Sequence, residues 1–166
     1  YGSQGAQITD AQARQILKRI DNIDIFADVS WLNFESAKKT EYFDFAGDEL
    51  MSEYIDAAMA YAFPWTEDEL AAAKALGALS VVYSPLNGAG RMPVQEVLKR
   101  LGVGRIETVK VQEFPDENFS TCPYPNPEKE EAMCEALKLA GKVKPDIVIV
   151  TDPDCDRVGV AVAKNG

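Results

Sequence analysis

Short apolar, β-branched runs alternate with longer amphipathic stretches over the second half of the chain. The predicted order is strand, helix, strand, helix, strand, strand, at residues 79–83, 92–101, 106–111, 127–141, 146–151 and 158–163. Helices of ten or more residues between strands are typical of a parallel sheet that is covered on both faces. The tight turn after residue 151 leaves no room for a crossover, so we expect the last strand to run antiparallel. The pattern predicts an α/β fold with a mixed, mostly parallel sheet.

The first 51 residues are less regular. Thr9 and Gln12 have the spacing of a capping box, which predicts a helix over 9–22. Residues 24–51 mix aromatic and acidic side chains without a clear period. We expect this stretch to be a connector with one or two short strands, and we expect a domain boundary near it.

Two more helices are predicted before the first strand of the sheet. Ser52 is expected to cap a helix over 52–62, which Pro64 ends. A second capping box opens a helix over 66–76, with Gly77 as the residue that ends it.

Composition excludes several classes of protein. The 27 acidic and 17 basic residues give a net charge of −10, which argues against nucleic-acid and anionic-membrane partners. No apolar run approaches the roughly 18 residues of a membrane span. The chain has no histidine, so His-dependent triads and His-ligated metals are excluded within it. Three widely spaced cysteines without a CxxC pair favour a reducing compartment, and we expect a cytoplasmic location.

The ends of the sequence suggest an internal segment of a longer protein. It begins at Tyr1 without a signal-peptide pattern, and residues 164–166 are typical of a hairpin turn whose second strand would follow. We therefore expect any activity to be shared with segments outside these 166 residues.

The most informative motif is the acidic loop after the predicted strand 146–151. Asp152, Asp154 and Asp156 alternate within five residues, and Arg157 follows them. Three carboxylates brought together repel each other unless a cation lies among them, and Mg²⁺ suits a few carboxylates with a phosphate. An acidic hairpin turn is the plainer interpretation. Because all three acids lie at the carboxyl edge of the sheet, the pattern favours a metal site over that turn.

A second loop, Asn87-Gly88-Ala89-Gly90, follows the first strand of the sheet. Its glycines would let backbone N–H groups approach a phosphate at a helix N-terminus. It lacks both the dinucleotide-binding glycine spacing and the phosphate-loop lysine, so an ordinary strand-to-helix turn is favoured over phosphate binding. Cys155 lies among the acids, which raise a thiol pKa, and is interpreted as a small filler rather than a nucleophile.

These motifs resemble those of the α-D-phosphohexomutases, the phosphoglucomutase/phosphomannomutase family. Asp-Pro-Asp-Cys-Asp-Arg at 152–157 resembles the family's Asp-x-Asp-x-Asp-Arg metal loop. Residues 82–90, Val-Tyr-Ser-Pro-Leu-Asn-Gly-Ala-Gly, are similar to its Tyr-Thr-Pro-Leu-His-Gly-x-Gly stretch. Weaker similarities lie at 119–128, which resembles its Phe-Pro-Thr…Pro-Asn-Pro-Glu segment, and at 5–9, which matches the end of its first domain.

The resemblance implies a fold and a chemistry. Residues 1–52 would be the tail of the first of four mutase domains with its connector, and 53–166 most of the second. The sheet would have strand order 2-1-3-4 with strand 4 antiparallel, in a three-layer α/β/α domain. The family moves a phosphoryl group between C1 and C6 of a hexose phosphate through an active-site phosphoserine. Mg²⁺ would be held by Asp152, Asp154 and Asp156, with Arg157 as a supporting residue.

Two departures from the family pattern limit what this chain can do alone. Asn87 stands where the family usually has His, and the phosphoserine motif Thr-Ala-Ser-His-Asn-Pro is absent. No catalytic nucleophile is therefore predicted within the chain, which is expected to be inactive without the other domains and their sugar-phosphate site. The alternatives are a phosphopentomutase of the same family, an aspartate-nucleophile phosphatase, and a non-enzymatic metal-binding module.

Overall fold

The computed structural model describes residues 1–62, 66–75 and 79–163. Three predicted features lie outside the described residues. They are the helix ends at Pro64 and at Gly77 and the turn at 164–166. Contacts along the chain divide it into two compact units, Tyr1–Phe45 and Ala46–Gly166. The proposed mutase-domain boundary between 52 and 53 is a separate matter and stays a prediction.

The first unit contains two helices. Helix α1 covers Asp10–Ile20 and begins with the predicted capping box, in which Thr9 and Gln12 bond reciprocally. Helix α2, Phe34–Ala37, is short and is capped by Asn33, whose Oδ1 accepts from the Ser36 N–H at 2.9 Å. The strands expected within 24–51 are not formed. Side chains such as Asn33 bond backbone N–H groups locally and thereby favour turns and caps over a sheet ladder.

A four-stranded sheet forms the centre of the second unit. The strands are β1 Ser80–Ser84, β2 Arg105–Thr108, β3 Ile147–Thr151 and β4 Val158–Val162. Their order is β2-β1-β3-β4, with β1 parallel to both neighbours and β4 antiparallel to β3. The predicted fold class, strand order and direction of the last strand are confirmed. Because β1 and β3 are adjacent and parallel, the loops that follow them meet at one edge of the sheet.

The helices of this unit are α3 Asp48–Ala62, α4 Glu67–Ala75, α5 Arg91–Arg100 and α6 Glu130–Val143. Helix α4 begins with the predicted capping box of Thr66 and Glu69. Helix α3, however, begins four residues before Ser52, because Asp48 and Glu49 suit the positive end of the helix dipole. Pro127 was predicted to open α6, but it lies three residues before it.

The second strand is also shorter than predicted. It ends at Thr108, and residues Lys110–Gln112 form a short 3-10 helix instead. Val109 donates its N–H to Tyr83 O at 2.9 Å as the last link to β1, and the chain then turns. The apolar side chain of Val111, which suggested a longer strand, is exposed.

Both faces of the central strands are covered. Val82, Val148 and Val150 pack with Ala132, Met133 and Ala136 of α6 in one cluster. Side chains alternate along a strand, so Val81 and Tyr83 lie on the opposite face, where they are buried too. This burial is what a mostly parallel sheet between helix layers requires. Among the described residues, no helix is long and apolar enough to cross a membrane.

Candidate metal centre

The loop after β3 is folded into a tight turn by its own backbone. Cys155 donates its N–H to Asp152 O at 3.0 Å, and Asp152 donates its N–H to Arg157 O at 3.4 Å. Cys155 has φ +64°, in the left-handed region that side chains other than glycine rarely adopt. This turn brings alternate residues of the loop onto the same side.

Three carboxylates converge as a result. One oxygen each from Asp152, Asp154 and Asp156 lies within 4.8 Å of the others. Asp152 is buried, and the other two carboxylates are exposed. Three hard oxygen ligands, one fixed in the protein and two open to solvent, form a donor set suited to a divalent cation that keeps some of its waters.

Arg157 is the positive charge next to this cluster. Its backbone N–H donates to Asp152 Oδ1 at 3.0 Å, and its Nε lies 3.5 Å from Asp152 Oδ2. The same Nε lies 3.7 Å from Asp156 Oδ1. The guanidinium therefore orients Asp152 and offsets one of the three negative charges, and a net negative charge of two remains at full ionisation.

The pKa shifts of the cluster run in opposite directions. Burial raises the pKa of Asp152, but hydrogen bonds from the Arg157 N–H and from Asp156 outweigh it and hold that pKa below its usual value. The hydrogen bond to Asp152, then the charge of Asp154, raise the pKa of Asp156. As pH falls, Asp152 therefore keeps its negative charge longer than Asp156 does. The proton on Asp156 is stabilised by its hydrogen bond to the Asp152 carboxylate.

The pKa of the cysteine thiol in the loop is raised, as expected from the neighbouring acids. Its side chain is partly buried, and burial, followed by the charges of the three neighbouring carboxylates, raises the pKa of the Cys155 thiol. A raised pKa leaves little thiolate at neutral pH.

The glycine loop lies against the acidic loop but has little free backbone to offer a phosphate. Asn87 donates its N–H to Gln112 O at 2.8 Å, Gly88 to Pro85 O at 2.9 Å, and Ala89 to Pro153 O at 2.8 Å. Three of the four N–H groups that a phosphate cradle would use are therefore bonded within the protein. This geometry favours the strand-to-helix turn over the phosphate-binding interpretation.

One pair of residues beneath the acidic loop escaped the sequence analysis. The hydroxyl groups of Tyr83 and Thr151 are hydrogen-bonded at 2.9 Å, and both residues are buried. Thr151 is the last residue of β3, and Tyr83 is the last but one of β1. Because Tyr83 pairs with Ile149, two residues before Thr151, the two side chains lie on the same face of the sheet. The only available signal was a polar residue near the end of each predicted strand.

The loop around Asp116 is self-contained. Its carboxylate accepts the N–H groups of Asn118 at 3.0 Å and Ser120 at 2.8 Å, and those bonds lower the pKa of Asp116. A carboxylate used this way supports the interpretation of the segment as a connector rather than as part of the site.

Comparison with known proteins identifies similar sequences over most of the chain. Residues 52–166 match the model of the family described as "Phosphoglucomutase/phosphomannomutase, alpha/beta/alpha domain II". Proteins named phosphoglucomutase from Staphylococcus aureus strains MRSA252 and N315 are 42% identical over 83 residues, and that from strain USA300 is 41% identical. Each match covers 50% of this chain but 15% of the relative's length.

Proposed function

The chain belongs to the phosphoglucomutase/phosphomannomutase family, and we propose that residues 53–166 are the metal-binding second domain of a phosphohexomutase. Residues 1–52 are then the end of the first domain and its connector. The family match over 52–166 and the sheet order β2-β1-β3-β4 support this division. The observation that carries the proposal is the convergence of three carboxylates within 4.8 Å at the carboxyl edge of the sheet.

The proposed metal ligands are Asp152, Asp154 and Asp156, and the proposed ion is Mg²⁺. The donor set fits a hard cation, since all three side chains offer oxygen and two of them face solvent. Bound Mg²⁺ would neutralise charge on a phosphoryl group and help to hold it in place during transfer.

The residues of this chain prepare that site. Arg157 keeps Asp152 ionised and oriented through its N–H and its guanidinium. The buried Asp152 carboxylate supplies a fixed anchor, and the exposed pair, Asp154 and Asp156, remains accessible to solvent and to another domain. We assign Arg157 as a supporting residue and place no nucleophile in this chain.

The proposed reaction of the whole enzyme is transfer of a phosphoryl group between C1 and C6 of a hexose phosphate. A phosphoserine outside these 166 residues donates and recovers the group, so this chain alone should not turn over substrate. The sugar-phosphate partner and the remaining domains belong to the same parent chain in this proposal. The three cysteines of these 166 residues are free, which suits a cytoplasmic enzyme.

The test is a mutase assay of the full-length protein that contains this chain. Glucose 1-phosphate, mannose 1-phosphate and ribose 1-phosphate are offered separately in the presence of Mg²⁺. We expect a hexose phosphate to be converted by the wild type and conversion to be largely lost in Asp154→Asn. The 166-residue chain, assayed in parallel, should be inactive.

Other results of this assay would support one of the alternative functions or exclude the acidic loop from the reaction. Preference for ribose 1-phosphate would assign a phosphopentomutase, and release of inorganic phosphate without isomerisation would assign a phosphatase. Full activity of Asp154→Asn would remove the acidic loop from the mechanism.

A further inference from the structure

We propose that Gly88 and Gly90 are positioning residues that shape the acidic loop for metal binding. This inference rests on the proposed metal site, and it gives the loop at 87–90 a role other than phosphate binding. Gly88 and Gly90 are two residues apart in sequence, and so are Pro153 and Cys155, the residues that separate the aspartates of the acidic loop. In the structure Gly88 lies against Pro153, and Gly90 lies against Cys155.

The first match is between Gly88 and Pro153. A Cβ atom added at Gly88 would lie 2.3 Å from both Cα and O of Pro153, which is backbone and cannot move without moving the loop. The adjacent Ala89 N–H donates to Pro153 O at 2.8 Å. Pro153 lies between Asp152 and Asp154 in sequence, so its position sets the separation of those two carboxylates.

The second match is between Gly90 and Cys155. A Cβ atom at Gly90 would lie 2.8 Å from Cys155 Sγ, 2.5 Å from Tyr83 Oη and 2.9 Å from Thr151 Oγ1. Cys155 lies between Asp154 and Asp156 in sequence. The non-acidic residues of the loop thus rest on the two glycines, and this leaves the three carboxylates to converge.

The glycine loop is itself held by the body of the domain. Leu86 and Asn87 have φ of +46° and +64°, an unfavourable conformation for two consecutive side-chain-bearing residues. Burial of Leu86 offsets this cost, as do the bonds from Asn87 N to Gln112 O and from Asn87 Nδ2 to Phe114 O. A surface held this firmly can act as a support for its neighbour.

Neither glycine needs its own conformational freedom. Both lie outside the positive-φ glycines, and Gly90 has φ −63° and ψ −12°, which alanine adopts readily. Replacement by alanine therefore acts through the added methyl group against the acidic loop. Gly141 of α6 is the matched control, because a Cβ atom there meets nothing within 4 Å.

The experiment compares Gly88→Ala, Gly90→Ala and Gly141→Ala in the 166-residue chain, with Cys134→Ser as background to remove an exposed thiol. Mn²⁺ affinity is measured by electron paramagnetic resonance. We expect it to fall about 10- to 100-fold in the first two variants, as for residues that orient metal ligands. Gly141→Ala should bind as the background does.

A second readout needs no metal. The rate at which Cys155 reacts with a maleimide in the metal-free chain should rise in Gly88→Ala and Gly90→Ala, because the loop is displaced from its support. It should not change in Gly141→Ala. If the background protein fails to bind Mn²⁺, the proposed function fails, whereas the thiol rates still test the contact between the loops.

Unchanged affinity and unchanged thiol rates in both loop variants would overturn the inference. If those variants do not fold, amide exchange of Ala89 in the unmodified chain decides instead. We expect its N–H to be protected more than about tenfold, since it bonds Pro153 O. Exchange at the rate of an unstructured peptide would overturn the proposal.

Discussion

Replacing Asp154 by Asn should have opposite effects on stability with and without a divalent cation. Asp154 is exposed, and its carboxylate lies near two other acids. Among the described residues it has no hydrogen bond or ion pair that the substitution would break. The change removes one negative charge and keeps the shape of the side chain, so it tests the electrostatic argument for the metal site directly.

The magnitude without metal follows from the separation of the oxygens. Two unit charges 4.8 Å apart, the widest separation between Asp152 and Asp154, repel by about 0.9 kcal/mol in the dielectric of water. The unfolded chain keeps part of this repulsion because the two residues are close in sequence. The metal-free variant should therefore be more stable by about 1 kcal/mol, or about 2–4 °C in melting temperature.

The sign reverses when the cation is added. At a concentration 100 times the dissociation constant, binding stabilises the folded wild type by about 2.7 kcal/mol. If loss of one ligand weakens binding about 100-fold, the same concentration stabilises the variant by only about 0.4 kcal/mol. Wild type should then melt above the variant, although it melts below it without metal.

Thermal unfolding followed by circular dichroism, with and without Mg²⁺ or Mn²⁺, measures both effects. Glu117→Gln is the control, since it makes the same change of charge at an exposed residue outside the acidic loop. Its melting temperature should rise with metal as much as that of wild type. The reasoning is refuted if Asp154→Asn destabilises the metal-free chain, or if it responds to metal as strongly as wild type does.

Three further substitutions test the fold around the site. Tyr83→Phe removes the bond to Thr151 and should cost about 1 kcal/mol in urea unfolding at neutral pH. Burial raises the pKa of Tyr83, so wild type should also lose stability as pH rises above about 10, a loss that the Phe variant lacks. Hydrogen bonds from the N–H and hydroxyl of Ser80 lower the pKa of Asp146. The stability that the ionised Asp146 gives to the fold should be present above about pH 4 and should fade as pH falls further. Asp146→Asn should remove that pH dependence. Gly159→Ala places a Cβ atom 2.9 Å from Met133 Sδ and should destabilise the chain by about 1–3 kcal/mol in the same urea assay, unlike alanine at a glycine whose surroundings are open.

The architecture of the second unit was predictable because its signals are local. A β-branched run such as Ile147–Thr151 and a capping box such as Thr66 with Glu69 bury or bond their groups within a few residues. Topology then followed from general rules about crossovers and tight turns. The predictions failed where tertiary contacts compete with local preference: Val111 has the side chain of a strand residue but lies in a 3-10 helix.

Sequence alone also located the acidic loop, because the residue type and spacing of three alternating aspartates after a predicted buried strand favour a metal site. It could not show what holds that loop in place. Gly88 and Pro153, Gly90 and Cys155, and Tyr83 and Thr151 are far apart in the chain and meet only because β1 and β3 are adjacent and parallel. A glycine in a sequence usually indicates a backbone conformation that other residues avoid. Here the missing side chain matters instead, because a neighbouring loop occupies the space that a Cβ atom would fill. Steric fit of that kind exists only between folded segments, so the tertiary structure alone decides it.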